Sequence, residues 1–137
     1  MIIFRNILAV VVGIFVGMLV NGGLINLGHV LVPPPEGFDP SSFEGVRSTI
    51  HLLETKHLIP VFFAHALGPL VGTFAAVLIA ASHKMKIAIG LGIVFLIGGI
   101  AASILIPAPM WFRIVDVVFA YVPMALLGAK LAGALKK

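Results

Sequence analysis

His65 is the side chain best placed to do chemistry, because it is an ionisable group inside a charge-free run from Leu58 to Ser82. An imidazole changes charge near neutral pH and can act as base, proton carrier or ligand. Ser103 is the one hydroxyl that would pair with it as nucleophile and base, although nothing flanking either residue supports that chemistry. Arg113 and Asp116 stand at i, i+3, where opposite charges on a helix neutralise one another, and local neutralisation is the favoured expectation. Asn21 and Asn26 are of the type that bonds between helices in a bilayer, and that role is favoured for both. His51-x-x-Glu54-x-x-His57 offers metal-binding residue types. Its spacing, however, drifts by about 60° per step around a helix, so the three side chains do not converge. No metal site and no cofactor are expected. The absence of cysteine excludes disulfides, thiolate catalysis and Cys-ligated metal centres.

The elements that must hold these groups follow from composition. Of 137 residues, 61% are hydrophobic and 10% charged, against about 25% charged in soluble domains. The chain is expected to be all-α, a single integral membrane domain over residues 1–137. Its predicted form is a four-transmembrane-helix bundle with spans at about 6–32, 58–82, 87–106 and 110–135 and a polar outer segment over 33–57. The first run is longer than the roughly 7–15 apolar residues of a secretory signal and lacks a small-residue cleavage site, so it is read as a retained span. Pro33, Pro34 and Pro35 end it. Between spans 1 and 2 a short amphipathic extracytoplasmic helix is expected to begin near residue 41, capped either by Asp39 ahead of Pro40 or by Ser41 with Glu44. Phe43, Val46, Ile50 and Leu53 would share its apolar face, with Glu44, Ser48 and His51 turned away. His83-Lys84-Met85-Lys86 reads as a tight turn between antiparallel spans.

Small residues recur every four positions at Ala64, Gly68, Gly72 and Ala76, and Gly13 and Gly17 make a second such pair. Stripes of this kind let helices approach closely. Pro69 removes the donor for the carbonyl of His65 and Pro123 interrupts the fourth span, so kinks are expected at both.

At 1.5 Å per residue, Asn26, His65, Ser103 and Asp116 lie about 5–10 Å inside the ends of their respective spans on the side of the 33–57 segment. Every span therefore contributes a polar group at similar depth, while the opposite half has almost none apart from Lys130, which can snorkel. Polar groups in hydrocarbon are costly unless paired or wet, so they should converge inside the bundle. The expected outcome is an outward-facing polar pocket lined by Asn26, His29, His65, Ser103, Arg113 and Asp116.

Arg5, Lys84, Lys86, Lys130, Lys136 and Lys137 fall on the side of both termini, and Arg47, Lys56 and Arg113 fall opposite. Both termini are therefore expected to be cytoplasmic. The net charge of +4 comes from residues scattered at segment ends, which speaks against nucleic acid as a partner.

The motifs PPPEG at 33–37, FFAHALGPLVGTFAA at 62–76 and ASHKMK at 81–86 resemble those of an uncharacterised family of small bacterial four-span integral membrane proteins. That resemblance implies a bacterial inner-membrane location and carries no known activity. From the small-residue faces, the leading functional expectation is a non-enzymatic accessory or scaffold component, self-associated or bound to other membrane-protein subunits in the lipid bilayer. The alternative is a small-solute transporter or binding protein using the outward pocket for a small-molecule ligand.

Overall fold

The computed structural model describes residues 1–135; Lys136 and Lys137, which enter the charge count above, lie outside the described residues. The chain folds as a helical bundle with no strand among the described residues: α1 (Ile2–Leu31), α2 (Phe43–Thr49), α3 (Thr55–Ile79), α4 (Lys84–Leu105), α5 (Met110–Phe119) and α6 (Val122–Leu131). α1, α3, α4 and the α5–α6 pair are each long and apolar enough to cross a membrane, which makes this a multi-pass membrane protein. α3 is the central helix and packs against α1, α4, α5 and α6. Apolar side chains such as Phe15, Met18, Ile97 and Ile104 face outward at 61–69% exposure, as a lipid-solvated surface requires.

Two predicted boundaries shift. α4 begins at Lys84 rather than 87, so the turn is confined to 80–83, with His83 in the left-handed conformation at φ 53°. The fourth span is not one helix to 135. It breaks at Ala120 and Tyr121, resumes with Pro123 in the first turn of α6, and ends at Leu131. Proline is well suited to a helix's first turn, where its missing N–H has no partner to lose. α3 is one helix through both Pro60 and Pro69.

The small-residue stripes are used between α1 and α3. A Cβ at Gly13 would lie 2.8 Å from that of Ala76, one at Gly17 3.0 Å from the Gly68 carbonyl, and one at Gly72 would run into the Gly13 carbonyl. The two backbones are thus in direct contact, a geometry only glycine and alanine allow. Ala64 is fully buried on the same helix. Farther along α1, Gly28 admits the ring of Pro60.

At the end carrying the termini, Arg5 donates to the Ile79 carbonyl from Nε at 3.2 Å and Nη2 at 2.9 Å. Asn6 accepts from the Ala81 and Ser82 amides at 3.0 and 3.2 Å and donates to the Ser82 hydroxyl at 2.9 Å. α1 therefore satisfies orphan groups at the end of α3, since helix termini leave backbone groups unpaired. The clamp lies at the very end of the half whose spans were expected to hold almost no polar groups.

At the other end, α2 uses Ser42 as its cap, accepting from the Gly45 amide at 2.9 Å, rather than Asp39 or Ser41. Asp39 makes its own turn, accepting from the Ser41 amide at 2.9 Å, and its amide donates to Thr49 Oγ1 at 3.0 Å. Ile50 is buried while Glu44, Ser48 and His51 face outward. His57 is engaged in a capping box, accepting from the Glu54 amide at 3.0 Å, so the His-x-x-Glu-x-x-His motif starts a helix. Among the described residues no three His, Asp or Glu side chains form a metal-holding group.

Candidate functional site

A cavity of about 700 Å³ lies beneath α2, between α1, α3, α4 and α5. Asn26, His29, His65, Ser103, Arg113 and Asp116 all line it. Phe43, Val46, Ile50 and Leu53 form part of its wall, so the apolar face of the α2 region covers the cavity. Exposed Ser41 and Ser42 stand at its mouth.

His65 and Asp116 in its lining belong to a three-residue cluster completed by Tyr121 from the break between α5 and α6. His65 Nδ1 stands 2.9 and 3.0 Å from the two Asp116 oxygens, and the Tyr121 hydroxyl donates to Asp116 Oδ2 at 2.8 Å. A buried carboxyl group is costly without hydrogen-bond partners, and His65 and Tyr121 supply them here. The Tyr121 oxygen is also 3.2 Å from Nδ1. That arrangement leaves the other ring nitrogen of His65 free of Asp116. Tyr121 reaches the cluster because Gly99 has no side chain: a Cβ there would collide with the Tyr121 ring.

The expected Arg113–Asp116 ion pair is not formed. Asp116 is turned to His65 and Tyr121, and Arg113 Nε is buried with no hydrogen-bond partner among the described residues. The α5–α6 break explains the choice, since it brings Tyr121 back to Asp116 and commits the carboxylate away from its helical neighbour. Nor does Asn26 bridge two helices: its amide nitrogen donates to the Gly22 carbonyl of its own helix at 2.9 Å. Asn21 Oδ1 is buried without a partner among the described residues. Ser103 donates to the Ile100 carbonyl at 2.8 Å rather than pairing with His65. His29 stacks edge-on against Phe38, with ring centroids 5.9 Å apart.

A second cavity of about 340 Å³ adjoins the first and shares His65, Gly99 and Ala102 with it. It lies between α1 and α4, walled by Ile14, Met18, Val94 and Phe95, with Tyr121 and Asn21 in its lining. Sequence reasoning passed over Tyr121 and this second space. The available signal was a lone tyrosine two positions before a proline and five after an intramembrane aspartate. No family model, curated protein or solved structure matches this chain.

Proposed function

We propose that this multi-pass membrane protein is a non-catalytic binding or transport protein for a small solute. Its ligand would sit in the cavity beneath α2, with both termini cytoplasmic and the cavity opening outward across a bacterial inner membrane. One observation carries the proposal: six polar side chains from all four spans, the cation Arg113 among them, line a single cavity. Polar groups gathered in an apolar surrounding are costly unless paired or wet, and a polar ligand or water in the cavity would meet them. The scaffold role takes second place because the stripe Gly68–Gly72–Ala76 and the pair Gly13–Gly17 pack α3 against α1 within the same chain.

The absence of native cysteine makes the test clean. Asn26→Cys and Ser103→Cys should react with a membrane-impermeant maleimide added from outside, while Ala88→Cys in the dry core should not. Unreactive cysteines at both cavity positions would overturn the proposal.

A further inference from the structure

The polar cavity and the space between α1 and α4 are two parts of one site. Their walls share His65, Gly99 and Ala102, but they open on different surroundings. The first opens among Ser41, Ser42 and Phe43 beside the polar segment. The second opens sideways, where Met18 and Val94 on its rim are 64% and 47% exposed. Gly22 in the wall of the first and Gly98 in the wall of the second have nothing within 4 Å of where a Cβ would stand. α1 and α4 therefore leave open space beside Gly22 and Gly98, and the Phe95 ring of α4 reaches across to Gly17 of α1 in the second cavity. A solute arriving from the bilayer could pass between them.

The charges facing the cavity set its preference. Asp116 is engaged by His65 and Tyr121, so its carboxylate already has donors and needs no cation from a ligand. His29 lines the upper wall. Arg113 is the half-buried cation in its lining, and Asp116, its helical neighbour, is committed elsewhere. A guanidinium offers a planar set of donors that suits carboxylate and phosphate oxygens. The apolar slot leading away from the cluster, lined by Ile14, Val94 and Phe95, suits a hydrocarbon chain. The two volumes together match the scale of pockets that enclose one small ligand, about 300–1,000 Å³.

Resting on the binding function proposed above, we infer that the ligand is a single-chain anionic amphiphile. Its carboxylate or phosphate head sits against Arg113, and its tail runs past His65 and Gly99 into the slot between α1 and α4. It reaches the site from the membrane rather than from water.

Native mass spectrometry of the purified full chain in detergent tests this with palmitate, lysophosphatidate, hexadecanol, monopalmitoylglycerol and inorganic phosphate. One-to-one adducts of palmitate or lysophosphatidate should form at least tenfold more tightly than those of the two neutral amphiphiles, and inorganic phosphate should not bind. The ranking of palmitate against lysophosphatidate identifies the head group. Arg113→Gln should abolish the tenfold preference without changing hexadecanol binding, and Arg113→Lys should restore part of it. Gly98→Phe, placed where there is open space, should weaken both anionic amphiphiles by at least tenfold while the thermal transition is kept.

Equal binding of neutral and anionic amphiphiles would overturn the head-group assignment. Phosphate binding as tightly as lysophosphatidate, or an inert Gly98→Phe, would overturn the membrane-derived tail. Absence of every adduct while the cavity cysteines still react with maleimide would sink this inference and leave the general binding function standing; unreactive cysteines would remove both.

Discussion

His65 on α3 and Asp116 on α5, 51 positions apart, meet with Nδ1 at 2.9 and 3.0 Å from the two carboxylate oxygens. Asp116 is buried and accepts in addition from Tyr121, so two separate elements bond to one carboxyl group. Asp116→Ala removes the acceptor and strands two donors, which should cost about 1–3 kcal/mol. A double-mutant cycle of His65→Ala with Asp116→Ala, read by thermal unfolding in detergent, should give a coupling of about 0.5–2 kcal/mol. Strict additivity would show that the two do not interact.

Tyr121 and Gly99 form a lock and its recess. Tyr121→Phe keeps the ring and loses one hydrogen bond to Asp116, for an expected loss of about 1 kcal/mol. Gly99→Ala should be worse, at about 1–3 kcal/mol, because a methyl group there overlaps the ring and must displace it. If Gly99→Ala proved the milder of the two, the ring would not occupy the recess.

Glycines that look alike in the sequence should respond oppositely to alanine. Gly72→Ala drives a Cβ into the Gly13 backbone and should destabilise by about 1–3 kcal/mol. Gly22→Ala and Gly90→Ala meet open space in the middle of helices, so they should be neutral or stabilising by up to about 1 kcal/mol. Equal effects at all three positions, measured by unfolding midpoints, would contradict the α1–α3 contact.

The clamp at the terminal end should be sensitive to a single side chain. Asn6→Ala leaves the Ala81 and Ser82 amides without their acceptor, and a loss of about 1–2 kcal/mol is expected. Amide exchange at Ala81 and Ser82 should rise in that variant. Unchanged protection there would mean that Asn6 does not cap the turn.

Acid should act on the segment over the cavity through Asp39. Hydrogen bonds from the Ser41 side chain and amide hold its carboxyl below the ordinary 3.8. A carboxyl with a depressed folded value stabilises above its unfolded value, and that contribution is lost as pH falls through the folded one. The Ser41 amide resonance should therefore titrate with a midpoint below 3.8 and stop titrating in Asp39→Asn. A midpoint at or above 3.8 would deny the turn its hydrogen bonds.

Hydropathy and chain length sufficed to determine the number of spans and the polar segment between the first two. Those features follow from a local requirement: each backbone group in hydrocarbon must be satisfied within its own helix, so about 20 apolar residues identify a span wherever they occur. The recurrence of Gly68 and Gly72 with Gly13 and Gly17 likewise marked which faces approach closely. Only the tertiary structure decided the partners of each polar group. Asp116 has a suitable cation three residues away in Arg113, yet the break at Ala120 and Tyr121 presents it to His65 and a hydroxyl instead, leaving Arg113 facing the cavity. Sequence spacing describes neighbours along one helix. Which carboxylate oxygen meets which donor is settled by helix rotation and by a recess the size of one missing methyl group at Gly99, and neither leaves a periodic trace in the chain.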